Sequence, residues 1–424
     1  MTRTVVLAGK FIDGMEGEAR ENVAMVVEGS QVTMVLQAEQ FEILPDDRVV
    51  DASEKTVMPG LIDAHVHAMA SSWNIEEMLM TRPTVAVFRA ARNLRRTLAS
   101  GFTTLRCCGG SDPGLREVLE SGLLTGPRLK TSGLLTQTGG HSETYFPLGV
   151  AVDIEPGNRD ATYDGIDGVR IGARRRLREG HDFLKITTTG GFNSPQTVPT
   201  IPQYHPDEIR AIVYEADVQG KWVISHAHGG DGVKNALRCG VRSIEHGTFL
   251  DEEDIELFLK HNAFLVPTLT VGESMREKAD EMGLAPYARE KSIRAGHAQR
   301  ESMRLAIEGG VKIALGTDAA SADMHGNSAQ ELVYMVDFGL TPMQAIIAGT
   351  RTAAEASQLG DVTGSLTPGK MADFLVVEGD PLVDISVLTD KSKIEAVYLE
   401  GELKAQWGQL VRDSATELNI NWAE

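Results

Sequence analysis

One apolar run of the chain ends in two histidines: Val57-Met58-Pro59-Gly60-Leu61-Ile62-Asp63-Ala64-His65-Val66-His67. Its length and its β-branched residues are typical of a buried strand. Residues two apart on a strand point to the same side, so His65 and His67 are predicted to face one point and to bind one cation. Alone, a His-x-His pair is a weak signal, because two histidines on a strand are more often structural. The runs that follow decide its meaning.

Seven further strand-like runs lie downstream, and helical patterns separate most of them. The runs are 103–106, 129–135, 183–187, 222–225, 242–245, 264–269 and 312–315. Eight β/α units over about 300 residues predict an α/β fold of the (β/α)₈ TIM barrel type. A doubly wound open sheet is the rival architecture, but the first strand is followed by no glycine-rich phosphate fingerprint.

Helix boundaries can be predicted for part of this region. Pro206 opens one helix. The runs 328–331 and 341–344 each have the pattern of a capping box, the second with proline at the first helical position. Residues 272–309 are predicted to form one long helix.

The two ends of the chain resemble each other and differ from the middle. Short β-rich runs separated by glycine turns occupy both termini. We therefore predict one small β-sandwich domain built from residues 1–56 and 360–424, and a catalytic barrel from residues 57–359.

Composition excludes several classes of partner. The 424 residues include 41 Lys and Arg against 60 Asp and Glu, a net charge of −19. Such a chain lacks the basic face that nucleic acid or an anionic membrane surface requires. No apolar run is long enough to span a membrane, and the N-terminal run is too short for a signal peptide. Three cysteines cannot form a disulfide framework, so we expect a cytoplasmic protein.

Barrel enzymes carry their reactive groups at the carboxyl ends of the strands. Four more predicted strands supply metal-ligand types there, namely Lys185, His226, His246 and Asp318. Lys185 stands between apolar residues, where an unpaired charge costs several kcal/mol. A salt bridge is one solution; loss of the proton followed by carboxylation with CO₂ is the other.

These motifs together resemble the amidohydrolase superfamily. The run 58–67 is similar to its opening signature, and His226 with the runs 244–248, 316–318 and 364–373 continues it in order. Within the superfamily, the chain resembles the imidazolonepropionase-related branch. That branch includes prolidase-like dipeptidases, arginine- and lysine-specific carboxypeptidases, and hydrolases of xenobiotic amides such as ochratoxin. The run 185–191 matches its strand-four lysine, which is carboxylated in binuclear members.

The resemblance implies a centre of two divalent metal ions. The first would be held by His65, His67 and Asp318, the second by His226 and His246, and N6-carboxylated Lys185 would bridge them together with a hydroxide. Zn²⁺ is our first choice, with Co²⁺, Mn²⁺ or Fe²⁺ as alternatives. The hydroxide would attack an amide carbonyl, and Asp318 would carry its proton to the leaving nitrogen.

Three further histidines are predicted to meet the substrate. His141 follows the third strand and would hydrogen-bond the substrate carbonyl during catalysis. His228 stands where related dipeptidases often have a tyrosine that helps to bind the substrate carboxylate. His325 lies on the loop after strand eight and would line the pocket. No basic residue stands out as a carboxylate anchor, and Arg106 is the one candidate. Cys107 and Cys108 are expected to pack in the core.

The predicted function is hydrolysis of the amide C–N bond of a dipeptide or N-acyl amino acid, in the manner of prolidases and carboxypeptidases and including amides such as ochratoxin A. Hydrolysis of a urea or carbamate would suit the same cluster. A cyclic-amide hydrolase or deaminase with one metal is a second alternative, although such relatives usually lack the strand-four lysine. A non-catalytic scaffold would have lost ligands, whereas all six positions are filled here. The family resemblance favours a homo-oligomer that acts on a small molecule.

Overall fold

The computed structural model describes residues 3–145 and 161–411. The strands are β1 (Arg3–Phe11), β2 (Arg20–Glu28), β3 (Gln31–Gln37), β4 (Arg48–Pro59), β5 (Leu61–Val66), β6 (Phe102–Cys107), β7 (Arg128–Leu135), β8 (Phe183–Thr187), β9 (Val223–Gly229), β10 (Ser243–Phe249), β11 (Phe264–Val266), β12 (Lys312–Ile313), β13 (Phe374–Val377), β14 (Ile394–Leu399), β15 (Glu402–Gln406) and β16 (Gln409–Leu410). The helices are α1 (Ile75–Met80), α2 (Pro83–Ala99), α3 (Pro113–Glu120), α4 (Gly165–Arg178), α5 (Pro206–Asp217), α6 (Asp231–Arg238), α7 (Glu252–His261), α8 (Leu269–Glu277), α9 (Pro286–Gly309), α10 (Gln330–Asp337), α11 (Pro342–Ile347) and α12 (Ala353–Ala356).

Strands β5 to β12 form one parallel sheet whose spatial order follows the sequence. The chain after β12 closes this sheet into a ring, because the amide of Ala64 donates to the carbonyl of Leu315 at 2.8 Å and that of His67 to Ala319 at 2.9 Å. Gly316 permits the approach, since a Cβ there would lie 2.7 Å from the Cβ of His65. The prediction of an α/β barrel is confirmed.

The remaining strands join the two ends of the chain in a second sheet, in the order β3-β2-β1-β4-β13-β14-β15-β16. Its edge strand β3 bonds back to the segment before β13, through the amide of Val32 and the carbonyl of Lys370 at 2.9 Å. The sheet therefore curls around a core of its own, which includes the stacked rings of Phe374 and Tyr398. Residues 412–424 of the predicted terminal domain lie outside the described residues.

The run 57–66 is divided between the two sheets. β4 extends to Pro59 and pairs with β13, whereas β5 starts at Leu61. The amide of Gly60, between them, donates to the carbonyl of Asp373 at 2.8 Å. The apolar run is continuous because both of its halves are buried, with Val57 in the core of the terminal sheet and Leu61 in that of the barrel.

The predicted helix boundaries are confirmed in part. Thr341 and Gln344 cap α11 reciprocally, as predicted. The predicted box at Ser328 is wrong: α10 begins at Gln330, and the buried Glu331 carboxylate accepts amides of the β11–α8 segment instead. The predicted helix 272–309 is two helices, the second of which starts at Pro286. Within the two described ranges, no helix combines the length and the apolar character that a membrane span needs.

Candidate metal centre

The predicted metal ligands meet at the carboxyl end of the barrel. The Nε2 atoms of His65 and His67 lie 3.5 and 3.1 Å from the same carboxylate oxygen of Asp318. The ring of His246 lies 5.2 Å from that of His65 and 4.6 Å from that of His226. The ligand atoms of His65, His246 and Asp318 all lie within 4.8 Å of one another, a spacing that a metal ion can bridge.

Each of the four imidazoles is oriented by a contact of its other ring nitrogen. These contacts join His65 Nδ1 to Glu245 Oε2 at 2.7 Å, His67 Nδ1 to the carbonyl of Gly109 at 3.2 Å, His246 Nδ1 to Thr268 Oγ1 at 2.8 Å, and His226 Nε2 to the carbonyl of Gly190 at 3.3 Å. Such outer contacts fix the tautomer and the aim of metal-binding histidines. The opposite nitrogens, Nε2 of three rings and Nδ1 of His226, are left to face a shared centre, where those of His65 and His67 contact Asp318.

Burial keeps the rings of His65, His226 and His246 neutral, as metal ligation requires. It lowers the pKa of His65 to about 4, with the nearby charge of Lys185 as a second cause. Burial likewise holds the pKa of His226 and His246 well below the ordinary value. For Asp318 burial acts in the opposite direction, but His65 and His67 outweigh it and lower the pKa of the carboxyl. The site thus presents neutral nitrogens beside an ionised oxygen.

Glu245 and Arg106 support this centre from below. Both side chains are fully buried, and the Arg106 guanidinium donates to the two carboxylate oxygens at 2.9 and 3.0 Å. Burial works to raise the pKa of Glu245, but Arg106 overrides it and brings the value to about 2. Arg106 is therefore committed to Glu245 and cannot anchor a substrate carboxylate. Sequence reasoning missed Glu245; its one signal was a carboxylate within a buried strand, which needs a partner.

Lys185 lies among these ligands with its charge unmatched. Its side chain is 4% exposed, and no hydrogen-bond acceptor for Nζ occurs in the parts of the chain that the structure describes. Its charge acts on His65, His246 and Asp318. A buried ammonium without a partner is costly, whereas a carboxylated lysine in this position would be a ligand for two cations. The histidines and Asp318 around Lys185 form a donor set that could hold a divalent metal ion.

The backbone is strained at two of the predicted ligands. His246 has a φ of 80° and Asp318 a φ of 57°, both in the left-handed region. Residues other than glycine rarely adopt this backbone conformation, and each such residue costs about 1–3 kcal/mol. Strain of this kind is concentrated at functional sites, which agrees with the assignment of both residues.

His141 and His228 lie beside the predicted second metal site. The ring of His141 stacks on His226 at 3.9 Å, and its Nδ1 lies 2.8 Å from the hydroxyl of Ser194. His228 stacks on His246 at 4.9 Å, and its ligand atom lies within 4.8 Å of those of His226 and His246. His228 is thus within reach of a metal as well as of the substrate, a place that sequence reasoning did not consider.

His325 lies on the loop after the eighth barrel strand, as the sequence placed it, but it is not among the described residues that line the cavity. Its side chain is buried and its Nε2 lies 3.0 Å from the carbonyl of Ala70, whereas Ala70 rather than His325 lines the cavity. Through this contact with Ala70, His325 fixes the position of the loop after β5. Cys107 and Cys108 are buried as expected, and burial raises the pKa of Cys108 far above its usual range, so it is no nucleophile.

A cavity of about 800 Å³ opens above the predicted ligands. Its outer wall is apolar and is built mainly by α1, α8 and α9 and the segments next to them. The residues concerned are Trp73, Met78, Phe192, Val271, Met275, Leu284 and Tyr287. Sequence reasoning missed this wall, because an apolar residue on a helix gives no sign of whether it faces a core or a cavity.

Comparison with known proteins agrees with this geometry. The sequence profile of the Amidohydrolase family matches residues 56–404. Ochratoxinase from Aspergillus niger is 30% identical over 97% of this chain and 89% of its own length. A prolidase complexed with N-methylphosphonate-L-proline has a TM-score of 0.89 and 34% identity over 96% of this chain and all of that one. A Xaa-Pro dipeptidase with bound methionine has a TM-score of 0.86 and 35% identity over 95% and 99%.

The profile spans the barrel and the part of the terminal sheet that runs from the end of β4 into β15, and the resemblance seen in the sequence motifs is confirmed. The chain therefore belongs to the amidohydrolase family and is a hydrolase of amide carbon–nitrogen bonds.

Proposed function

We propose that the chain is a binuclear metal-dependent hydrolase that cleaves the amide bond of a dipeptide or N-acyl amino acid. The observation that carries the proposal is Lys185. Its buried Nζ lacks an acceptor among the described residues and lies amid predicted ligands at the base of the cavity. The similarity to ochratoxinase, prolidase and Xaa-Pro dipeptidase supports an amide next to a carboxylate as the substrate class.

The residues that would hold the metals are those predicted from the sequence: His65, His67 and Asp318 for one, His226 and His246 for the other, and carboxylated Lys185 for both. When bound, two divalent ions supply an ionised water at neutral pH and polarise the substrate carbonyl. Histidine and oxygen ligands suit Zn²⁺ first, and also Co²⁺, Mn²⁺ or Fe²⁺.

Asp318 is the general base and acid of the proposed reaction. Its contacts with His65 and His67 keep the carboxylate ionised and ready to accept a proton from the attacking water. The protonated carboxyl group of Asp318 then passes that proton to the leaving nitrogen.

His141 is placed to act on the carbonyl oxygen. Burial is the main cause that lowers its pKa to about 3, so the ring is neutral. When the Ser194 hydroxyl donates to Nδ1, the proton of the ring lies on Nε2. Nε2–H then donates a hydrogen bond to the oxygen on which negative charge develops.

The cavity favours a substrate with one large apolar part. Sites for drug-sized ligands occupy roughly 300–1,000 Å³, and this cavity lies in the upper part of that range. Its wall of tryptophan, phenylalanine, methionine and leucine side chains supports aromatic acyl groups over small polar ones. We therefore include aromatic xenobiotic amides of the ochratoxin A type.

A metal-replete screen of dipeptides, N-acyl amino acids and aryl ureas tests the proposal, with Lys185→Ala as the control. We expect turnover of aromatic N-acyl amino acids that Lys185→Ala loses. Full activity of Lys185→Ala would reject the bridged pair. Turnover of ureas alone would establish the urea or carbamate hydrolase, and turnover of cyclic amides or aminated rings alone, in an added panel, the cyclic-amide hydrolase or deaminase.

Two further proposals concern the setting of the enzyme. Cys107, Cys108 and Cys239 are buried thiols that form no disulfide bond, which suits a reducing cytoplasm. We also propose a homo-oligomer, which light scattering on the purified protein tests.

A further inference from the structure

One side of the cavity is formed by the wall loop, which we define as residues 190–198 after β8. Phe192 and Asn193 of this loop line the cavity. The ring of Phe192 lies 4.5 Å from that of His228, and the hydroxyl of the fully buried Ser194 orients His141. The position of the wall loop thus sets the shape of the cavity next to the two substrate-facing histidines.

Lys291 on α9 holds the wall loop. Its Nζ donates to the backbone carbonyls of Gly191, Ser194 and Thr197 at 3.2, 2.8 and 2.7 Å. The three N–H groups of an ammonium are thereby all used. The hydroxyl of Tyr287, one turn earlier on the helix, donates to the carbonyl of Asn193 at 2.9 Å.

The charge of Lys291 is solvated by dipoles and not neutralised. No carboxylate of the described residues forms an ion pair with it, and Lys291 is partly buried. Lys291 lies directly behind the cavity wall, because the carbonyls of Gly191 and Ser194 that it binds flank Phe192 and Asn193, which line the cavity. The ammonium of Lys291 has no counter-ion among the described residues and is partly shielded from water behind the wall loop. Its electric field therefore extends further than that of a surface ion pair, because water screens it less.

We propose that Lys291 makes the wall loop the anion-selecting side of the cavity. The carboxylate of the leaving amino acid lies against the face formed by His228 and Asn193, and the apolar acyl part lies on the wall of α8 and α9. Lys291 acts through the loop and through its field without touching the substrate, so it is a positioning and specificity-determining residue. The inference rests on the proposed amide hydrolysis for its substrate class.

Chemical rescue separates the charge of Lys291 from the bulk of its side chain. Lys291→Cys is alkylated with 2-bromoethylamine, which restores an ammonium on a chain of nearly the same length, or with iodoacetamide, which adds a neutral group. The three native cysteines are buried, which favours selective reaction at the new thiol. Lys260→Cys on the exposed end of α7, treated in the same way, is the matched control.

The probes are L-phenylalanine and L-phenylalaninol, which share the ammonium group and the ring and of which L-phenylalanine alone has an anionic carboxylate; their binding to the metal-loaded protein is measured by calorimetry. We expect the preference for the anion to fall about tenfold in the neutral adduct and to return in the ammonium adduct. Two unit charges about 10 Å apart at an effective dielectric constant of about 20 attract with an energy of that size. The ratio of kcat/KM for any hydrolysed anionic substrate and its neutral analogue should follow the same pattern.

Two results would overturn the inference. One is a wild-type protein that binds both probes equally. The other is a neutral adduct that weakens both probes by the same factor, which would assign Lys291 a structural role alone. A wild-type protein that prefers the anion but hydrolyses no amide would refute the proposed function and leave the role of Lys291 intact.

Discussion

Replacing Glu245 with glutamine should weaken both the fold and the first metal site, by separate routes. The carboxylate of Glu245 contacts His65 Nδ1 at 2.7 Å and Arg106 at 2.9 and 3.0 Å, and Ser243 donates to it at 2.5 Å. Glutamine has the shape of glutamate but no charge. Its NH₂ group is a donor and would face the donors Arg106 and Ser243 where the carboxylate oxygens accept from them. The guanidinium of Arg106 is then left in the barrel without its counter-ion.

The expected size of each effect follows from these contacts. Removing one partner of a fully buried ion pair costs about 3–5 kcal/mol. The unfolding entropy of a 424-residue chain is about 0.9 kcal/mol/K, so Tm should fall by about 3–6 °C. Loss of the contact that orients His65 should weaken metal binding at this site by about 10–100-fold.

Metal-free protein is used for the melting curves, and a chromophoric chelator competes for metal in the affinity measurement. Arg106→Gln is the matched variant, because it breaks the same ion pair but leaves the contact between Glu245 and His65. It should lose as much stability as Glu245→Gln and much less metal affinity. The reasoning is refuted if both variants lose metal affinity equally, or if Glu245→Gln melts within 1 °C of the wild type, well inside the ~3 °C minimum expected from the buried pair.

Three further outcomes are expected. Asp318→Asn should retain metal by elemental analysis but lose about 10²–10⁴-fold in kcat, and full activity would exclude its proton-transfer role. Gly191→Ala places a Cβ 2.2 Å from the His141 ring and should displace that ring, so kcat/KM should fall about 10–100-fold without loss of bound metal. Unchanged kinetics would show that catalysis does not depend on the position of the His141 ring. Burial raises the pKa of Glu331 to about 8, so the folded state keeps a proton that the unfolded state releases above pH 4.5. Stability should therefore fall as pH rises from 4.5 to 8, by at most about 1.4 kcal/mol per pH unit, and urea titrations of Glu331→Gln should show a smaller slope; equal slopes would contradict the assignment.

The architecture could be predicted because each barrel strand is a buried apolar run and each predicted ligand lies near a strand end. The boundaries could be predicted less well. Val57 and Leu61 are both fully buried, yet they belong to different cores, and burial selects apolar residues in either one. The only local sign of the junction is the pair Pro59-Gly60.

Capping patterns failed where a tertiary contact competed for the same side chain. The run 328–331 has the residues of a capping box, but the carboxylate of Glu331 accepts the amides of Leu269 and Thr270 at 2.8 and 2.6 Å. These amides begin α8 and have no acceptor within their own helix. The run 341–344 has no such competitor and forms its box.

The role of Glu245 beside the predicted metal centre could not be predicted from the sequence, for a different reason. Strand alternation predicts that consecutive residues face opposite sides of the sheet. Glu245 and His246 break this rule, since Glu245 bonds His65 while the ring of His246 lies 5.2 Å from the same ring. The left-handed backbone at His246 makes the exception possible.

A glycine would adopt that conformation without strain, but glycine has no imidazole. The chain thus keeps a ligand at the cost of about 1–3 kcal/mol, which the buried contacts of Glu245 offset. Sequence periodicity finds predicted ligands whose side chains follow the strand alternation, such as His65 and His67. It misses Glu245, because the next residue, His246, is itself a predicted ligand and alternation would place the two on opposite sides. The left-handed backbone at His246 that brings both to the site cannot be recognised from the residue type.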